Sequence, residues 1–253
     1  MQSARRVDVL GIGVSITSLE GTLRTIAGWV EAGTRTYVCV TDVHAVMQSQ
    51  KDPELLRIHN ESGLTLADGA PVYWAGRLAG ATRLRRVRGP DLLPAACELA
   101  ARRGWRCYFF GSAPGTPERL AGKLAERFPG LQVAGTRSPP FRALTPEEDE
   151  RIVAQINESG ADIVYVGLST PKQQHWMYEH RARLTAPVLI GVGAAFDIHA
   201  GVKPQAPEWM HPLGLEWLFR LWLEPRRLWR RYLVTNPAFL AQVVRRRPFI
   251  RSR

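Results

Sequence analysis

The sequence lacks the features that identify several large protein classes. None of its 253 residues belongs to a run of the ~18 to 20 consecutive apolar residues that a membrane-spanning helix needs. Its three cysteines are an odd number without metal-ligand spacing, so we expect reduced thiols in the cytoplasm. The start, "MQSARRVDVLGIGV", is basic, but its apolar run is short and no cleavage site follows it. We interpret it as a first strand, Val7 to Val14, and not as a signal peptide.

Common nucleotide, metal and hydrolase motifs are also missing. No Gly-x-x-x-x-Gly-Lys-Ser/Thr sequence occurs, which argues against a P-loop ATPase, and "GIGVSI" lacks the third glycine of a dinucleotide motif. No Asp-x-Asp pair ends a strand, the six histidines show no metal spacing, and no Gly-x-Ser-x-Gly elbow appears. The sequence therefore predicts neither a bound metal nor a cofactor.

Acidic residues are scarce at the end of the chain. Residues 220–253 hold ten arginines, one glutamate and no lysine or aspartate, a charge of +9 out of +11, so residues 1–219 carry only +2. A basic segment on a near-neutral body calls for an anionic partner, either nucleic acid, a membrane surface or a phosphorylated substrate.

Strand and helix patterns alternate over the first 200 residues. Several strand candidates are continuously apolar, as in a parallel sheet covered on both faces. After the first strand they are Thr36–Thr41, Leu64–Ala67, Cys107–Gly111, Leu131–Ala134, Ile163–Gly167 and Val188–Val192. Helix starts are predicted at Thr116 and Thr145, the latter with a capping box to Glu148. We predict an α/β fold with a doubly wound, mainly parallel, Rossmann-like sheet over residues 1–205. Residues 206–253 are predicted to form an Arg/Trp-rich helical appendage. Its helices are broken at Pro212 and Pro225, and a final helix lies near Pro237–Arg247.

Polar or glycine-rich turns follow five of the predicted strands. They are "TDVH", "ADGAP", "GSAPG", "GLSTPKQ" and "GVGAAFD". Ligands bind beyond the carboxyl ends of parallel strands, so five such turns at one sheet edge predict a ligand site. Asp68 and Asp197 are its carboxylate candidates, and Asp68 is placed where burial could tune it as a general base. Thr170, Pro171 and Gln173 also form a capping-box pattern, which by itself favours a helix start over a substrate contact.

Five colinear motifs resemble the WecG/TagA/CpsF family of bacterial glycosyltransferases. They are "KDPELLRIHNESGLTLADGAPV", "RRVRGPDLL", "GLSTPKQQHWM", "GVGAAFDIHAG" and "APEWMHPLGLEWLFRLWLEPRRLWRRY". The resemblance implies an inverting, metal-independent enzyme that moves a sugar from a UDP-sugar to an undecaprenyl-type lipid diphosphate acceptor, peripherally on the inner face of the cell membrane. It implies that Asp68 is the general base, that Thr41, Arg86 and Gln173 line the same pocket, and that Asp197 helps to hold the nucleotide.

The resemblance also extends the predicted site. It implies that appendage arginines Arg220, Arg227 and Arg230 bind substrate, beside further binding candidates at the turns: His44, Gly111, Gly115, Gly167, Pro171, Lys172, Gly191, Gly193 and Phe196. Arg245, Arg246, Arg247, Arg251 and Arg253 lie beyond the motifs and suit an anionic membrane surface. Oligomeric state is left open.

Departures from the family pattern leave the donor and the acceptor open. Val43 stands where the family often has asparagine, and either His44 substitutes for it or the acceptor is recognised differently. Gln174 replaces a usual glutamate and Gln205 a usual arginine. Two other functions compete with the glycosyltransferase. An Arg-rich tail with interleaved Trp and Tyr also suits single-stranded nucleic acid, although the strand-end motifs favour an enzyme and no nucleic-acid partner. A sugar-nucleotide epimerase or dehydrogenase would need a dinucleotide motif and a Tyr-x-x-x-Lys pair, and both are missing.

Overall fold

The structure is a computed structural model that describes residues 5–251. Over that range the strands are β1 (Arg6–Val9), β2 (Ile12–Ser15), β3 (Thr36–Thr41), β4 (Leu64–Ala67), β5 (Arg106–Gly111), β6 (Gln132–Arg137), β7 (Ile163–Gly167), β8 (Val188–Gly191) and β9 (Phe249–Ile250). The α-helices are α1 (Leu19–Glu31), α2 (Val43–Ser49), α3 (Pro53–Glu61), α4 (Ala70–Leu78), α5 (Gly89–Arg103), α6 (Thr116–Arg127), α7 (Pro146–Glu158), α8 (Lys172–His180), α9 (Ala195–His199), α10 (Glu216–Leu223), α11 (Pro225–Arg230) and α12 (Asn236–Arg246). No helix among these residues has both the length and the apolar character that a membrane span requires.

The chain divides into two compact units that cut across the sequence. Unit 1 takes its described residues from Met1–Ser18, Thr41–Arg88 and Pro204–Arg253, and unit 2 consists of Leu19–Val40 and Gly89–Lys203. The segment predicted to be an appendage therefore belongs to the same compact unit as the start of the chain and residues 41–88. The functional boundary at residue 205 remains a prediction.

Unit 2 is built on a parallel sheet. Its strands follow the order β3-β8-β7-β5-β6, and every neighbouring pair runs parallel. Their apolar side chains are buried, including the stacked rings of Phe109 and Tyr165, whose centroids are 5.3 Å apart. Because the connections between these strands carry helices, as parallel pairing demands, the predicted Rossmann-like α/β fold is confirmed.

Unit 1 has a small antiparallel sheet, which corrects the predicted first strand. The segment Val7 to Val14 is a hairpin: β1 pairs with β2, and Leu10 and Gly11 between them both have positive φ, 53° and 86°. Two successive positive φ values form the turn that matches the twist of a tight hairpin. The sequence predicts a single strand here because the apolar residue Leu10 does not indicate a tight turn. β9 adds to the other edge of β1.

The core of unit 1 contains side chains from all three of its segments. Val7, Val46, Leu84 and Phe239 are fully buried in one cluster, and Val243 joins them. The predicted final helix is confirmed as α12, and it contributes the last two of these residues. The Arg-rich segment therefore contributes side chains to the core of unit 1.

Arg251 is also part of unit 1's interior contacts. It was predicted to face lipid, but its guanidinium donates to the Asp8 carboxylate at 2.8 Å, to Asn60 Oδ1 at 3.0 Å and to the Gly11 carbonyl oxygen at 2.7 Å. The charge of Arg251 is needed within the fold, because it neutralises the Asp8 carboxylate, whose side chain is only 13% exposed. Arg253, predicted to face lipid as well, lies outside the described residues.

Helix starts follow the predicted signals in one case and depart in another. At α7 the Thr145 hydroxyl and the Glu148 side chain form the predicted capping box. At α6 the cap is Gly115, with φ 81°, and Thr116 is already the first helical residue. Gly115 reaches the left-handed region without a Cβ penalty, so the helix begins one residue earlier than predicted.

Candidate active site

The ends of β3 and β4 bring Thr41 and Asp68 together in unit 1. The Asp68 N–H donates to the Thr41 carbonyl oxygen at 3.0 Å. Thr41 is buried, whereas Asp68 is partly exposed. α4 starts at Ala70, so the Asp68 carboxylate precedes a helix N-terminus, where the helix dipole favours a negative charge.

Arg86 binds the backbone of Asp68. Its Nε donates to the Asp68 carbonyl oxygen at 2.5 Å, its Nη1 donates to the His211 carbonyl oxygen at 3.1 Å, and its Nη2 donates to Glu216 Oε2 at 3.0 Å. The resemblance implied that Arg86 lines a pocket. In the structure Arg86 lies next to Asp68, and its three guanidinium nitrogens all donate hydrogen bonds to other residues of the protein.

The Glu216 carboxylate, at the start of α10, binds three side chains. Besides Arg86, it accepts from Arg88 Nη1 at 3.0 Å and lies 2.9 Å from His211 Nδ1. Burial alone would raise the pKa of Glu216, but the hydrogen bonds from Arg86 and His211 outweigh it and hold the pKa below its ordinary value. The carboxylate is therefore ionised at neutral pH.

A second carboxylate, Asp42, follows β3 directly. Its Oδ1 accepts from the Ala45 N–H at 3.0 Å and caps α2, while its Oδ2 forms an ion pair with Arg231. Burial raises the pKa of Asp42, but Arg231 and the Ala45 N–H more than compensate and lower it to about 2. For Arg231, burial lowers the pKa, and the attraction of Asp42, with Asp68 and Tyr232 adding to it, raises it overall.

Two further titratable groups belong to this part of unit 1. Burial lowers the pKa of His44, and the neighbouring Arg231 lowers it further against the attraction of Asp42. His44 is thus favoured in its neutral form. Burial raises the pKa of Tyr232, so its phenol keeps its proton, and Arg220 and Arg231 oppose that shift only in part.

The three predicted appendage arginines do not share one helical face. α10 and α11 are separate helices, since Glu224 between them has φ −133° and ψ 60°. Arg220 lies near Asp42 and helps to lower the pKa of that carboxyl. Arg227 pairs with Glu224 at the surface, and the exposed Arg230 guanidinium lies 5.2 Å from the centre of the Trp229 ring.

In unit 2 the glycines of the strand-end turns allow close packing. Gly111 has φ 130°, and a Cβ there would lie 2.6 Å from the Gly167 backbone. A Cβ on Gly167 would in turn lie 2.5 Å from the Phe196 ring, which is fully buried. Gly111, Gly167 and Phe196 therefore shape the ends of β5 and β7. Gly115, in contrast, is exposed, with open space around its Cβ position.

The Asp197 carboxylate of unit 2 is held from both sides. Ser112 Oγ donates to Oδ1 at 2.6 Å, and Lys203 Nζ lies 3.2 Å from Oδ2. Ser112 belongs to the turn after β5 and Lys203 to the residues after α9. Asp197 thus links two of the predicted strand-end segments, and its predicted role toward the nucleotide stays a prediction.

Gln173 does not start its helix in the predicted way. α8 begins at Lys172 with Pro171 as its cap, and no side chain caps it. The capping box is wrong because the helix starts one residue later than predicted, so Gln174, not Gln173, reaches back: its Nε2 donates to Thr170 Oγ1 at 3.2 Å.

The Gln173 amide is buried against the turn after β8. A Cβ on Gly191 would lie 3.3 Å from the Gln173 Cδ, and one on Gly193 would lie 3.4 Å from its Oε1. Within the described residues, that oxygen has no hydrogen-bond partner. Lys172 beside it is exposed and Pro171 is partly exposed. Helix capping does not explain Gln173, and its predicted binding role stays a prediction.

The predicted site residues divide between the two units. Thr41, His44, Asp68, Arg86 and the three appendage arginines are in unit 1, and the other ten, from Gly111 to Asp197, are in unit 2. Sequence reasoning missed Asp42, Arg231 and Glu216. Asp42 carried a usable signal, since an aspartate three residues before Ala45 after a strand is an N-cap pattern. The partners of Arg231 and Glu216 are too distant along the chain to be seen in a local pattern.

Comparison with known proteins gives a family match over almost the whole chain. The model of the glycosyl transferase WecG/TagA/CpsF family matches residues 7–253. The match extends past the last motif of the sequence comparison, at Tyr232, and includes α12 and β9.

Three similar proteins carry the same name, N-acetylglucosaminyldiphosphoundecaprenol N-acetyl-beta-D-mannosaminyltransferase. The protein of Bacillus subtilis (strain 168) is 29% identical over 72% of this chain and 69% of its own length. That of Bacillus spizizenii is 26% identical over 91% of this chain and 86% of its own. That of Staphylococcus aureus (strain NCTC 8325) is 23% identical over 95% of this chain and 92% of its own.

Proposed function

Since the chain belongs to the WecG/TagA/CpsF family of glycosyltransferases, we propose that it transfers a sugar from a UDP-sugar to a lipid diphosphate-linked saccharide in the assembly of a bacterial surface polysaccharide. The observation that carries this proposal is that similar proteins from three bacteria, aligned over up to 95% of this chain, are all named for transfer to a diphosphoundecaprenol-linked sugar. The sugar and the acceptor saccharide of this chain can differ from theirs.

Asp68 is the proposed general base. Its carboxylate removes the proton from the acceptor hydroxyl as that oxygen attacks the anomeric carbon of the donor, and the bond to the UDP oxygen breaks. A single displacement of this kind inverts the anomeric centre. The strand-end position and the backbone bonds to Thr41 and Arg86 support the role, because a general base must be held in place to be effective.

The leaving diphosphate is stabilised by cationic side chains in this proposal. Arg220, Arg227 and Arg230 carry guanidinium groups, which bind phosphate oxygens in a bidentate manner. Among the described residues, no group of three or more His, Cys, Asp or Glu side chains is arranged to hold a metal ion. In this proposal the arginines and helix N-terminal N–H groups neutralise the charge that develops on the leaving diphosphate.

The experiment that tests this function is a turnover assay with purified protein, a lipid diphosphate-linked GlcNAc acceptor and a panel of UDP-sugars, read as UDP release. One UDP-sugar should support turnover that requires the acceptor. The Asp68→Asn variant should lose about 10²- to 10⁴-fold in kcat. Asp52→Asn is the matched control, because asparagine can still cap α3 as Asp52 does. Acceptor-dependent turnover that survives Asp68→Asn at the wild-type rate would exclude this base.

We also propose that unit 1 binds an anionic membrane surface. Arg245, Arg246 and Arg247 are exposed at the end of α12, and exposed apolar side chains accompany them on the same segment: Trp222, Leu233, Val234, Leu240 and Val244. Cations beside apolar groups suit the interface of an anionic bilayer, where each arginine contributes about 1 kcal/mol.

Substitution tests membrane binding better than truncation. Cutting the chain after Pro237 would remove Phe239 and Val243 from the core of unit 1. Replacing Arg245, Arg246 and Arg247 by Ala should instead weaken binding to vesicles with phosphatidylglycerol by about 100-fold, given about 1 kcal/mol for each charge. Replacing three exposed arginines of unit 2, Arg24, Arg102 and Arg119, is the charge-matched control. Equal losses in both variants would contradict a defined membrane surface.

A further inference from the structure

Glu216 connects the segment after residue 204 with Arg86 and Arg88, which lie just before α5. Its two carboxylate oxygens bind different arginines, with Oε2 accepting from Arg86 and Oε1 from Arg88, both at 3.0 Å. His211, on the same segment, makes two further contacts. Its Nδ1 lies 2.9 Å from Glu216 Oε1, and its carbonyl oxygen accepts a hydrogen bond from Arg86. All four side chains are largely buried, at 14 to 19% exposure.

The arrangement continues from Glu216 through Arg86 to Asp68. A guanidinium is planar and rigid, so its Nε–H points in a direction that is set by where its Nη atoms are bound. Glu216 and the His211 carbonyl oxygen fix the two Nη atoms, and the Nε–H then donates to the Asp68 carbonyl oxygen at 2.5 Å. Asp68 is therefore held by two backbone bonds, one to Thr41 and one from Arg86.

We propose that Glu216 is a positioning residue for the reaction: it orients Arg86 so that Arg86 fixes the backbone of Asp68 and thereby the direction of the catalytic carboxylate. This inference rests on the proposed role of Asp68. It gives Arg86 the task of holding the base, and it makes α10 part of the catalytic arrangement of unit 1 through Glu216, whose carboxylate binds Arg86, Arg88 and His211.

Glu216→Gln tests the proposal, because glutamine keeps the shape and removes the charge that holds the two arginines. Misplacement of a catalytic group by about 1 Å can cost about 100-fold in rate, so kcat should fall about 10- to 100-fold while KM for the UDP-sugar changes less than about threefold. Glu208→Gln is the matched control: it removes the same charge from an exposed position of the same segment and should keep wild-type kcat.

A double-variant cycle separates positioning from a general loss of structure. If Glu216 acts through Asp68, Glu216→Gln should lower kcat little or not at all in the Asp68→Asn background, since the group that it positions is already inactive. The same fold-loss in both backgrounds would overturn the proposal, and so would wild-type kcat of Glu216→Gln. If Asp68→Asn alone keeps full turnover, the base assignment fails instead. Glu216→Asp, which keeps the charge but is too short to bridge both arginines, should show the same non-additivity and replaces Glu216→Gln if that variant does not fold.

Discussion

Asp42→Asn measures what the ion pair with Arg231 contributes to folding. Asn is as good an N-cap as Asp, so the cap on α2 is retained and the change reports on the charge. The pKa of Asp42 falls from an ordinary 3.8 to about 2 in the folded protein. At about 1.4 kcal/mol per pH unit, this difference corresponds to about 2 kcal/mol of stability near pH 7.

The sign of the pH dependence follows from the lowered pKa. The folded state prefers the ionised carboxyl, so its contribution is complete above pH 3.8 and is lost as the pH falls from there toward about 2. Urea unfolding of wild type and Asp42→Asn should therefore differ by about 2 kcal/mol near pH 7 and by roughly half of that near pH 3.

A surface pair provides the control for this measurement. Glu224 pairs with Arg227 in the same segment, but their side chains are 33% and 59% exposed. Glu224→Gln should cost less than about 1 kcal/mol, as exposed ion pairs do. A stabilising ion pair at Asp42 is refuted if Asp42→Asn costs less than about 0.5 kcal/mol near pH 7, within the range of ordinary surface changes, or if its cost does not shrink on acidification.

Three further predictions concern unit 2 and the reaction. Gly111→Ala should lower the stability of unit 2 by more than about 2 kcal/mol in thermal unfolding, because φ is 130° and the new Cβ would overlap the Gly167 backbone; an unchanged melting temperature would contradict this. Thr145→Ala should cost about 1 kcal/mol by loss of the α7 cap, while Thr145→Ser should cost little; equal costs would argue against the capping box. Turnover should persist in EDTA, since arginines are proposed to carry the diphosphate charge; loss that Mg²⁺ restores would exclude that mechanism.

The parallel sheet could be predicted because its strands carry a signal of their own. β3 and β7 have the predicted bounds, since strands covered on both faces are largely apolar and end at polar turns. The hairpin at β1 and β2 could not be predicted. Its turn residue Leu10 is apolar, and the positive φ that it adopts is set by pairing and packing.

The positions at strand ends were also predictable, whereas their partners were not. The rule that ligands bind beyond parallel strands was enough to select Asp68 and Asp197, whereas Gln173 was selected by the family resemblance. Which arginine meets which carboxylate depends on the folded chain. Arg231 is 189 residues from Asp42, and Glu216 is 130 residues from Arg86. The resemblance grouped Arg220, Arg227 and Arg230 as substrate ligands, and the break at Glu224 places them on two separate helices.

The three-segment construction of unit 1 has a consequence during protein synthesis. β1 leaves the ribosome early, but its neighbour β9 and the core residue Phe239 are made more than 220 residues later. Until then, Val7, Val9 and Val14 lack part of their apolar cover, and closing so long a loop costs entropy before any contact is gained. Unit 2 is complete by Lys203 and can fold first. In nascent chains stalled before residue 239, unit 1 should therefore remain accessible to chaperones and proteases, while unit 2 should already resist proteolysis.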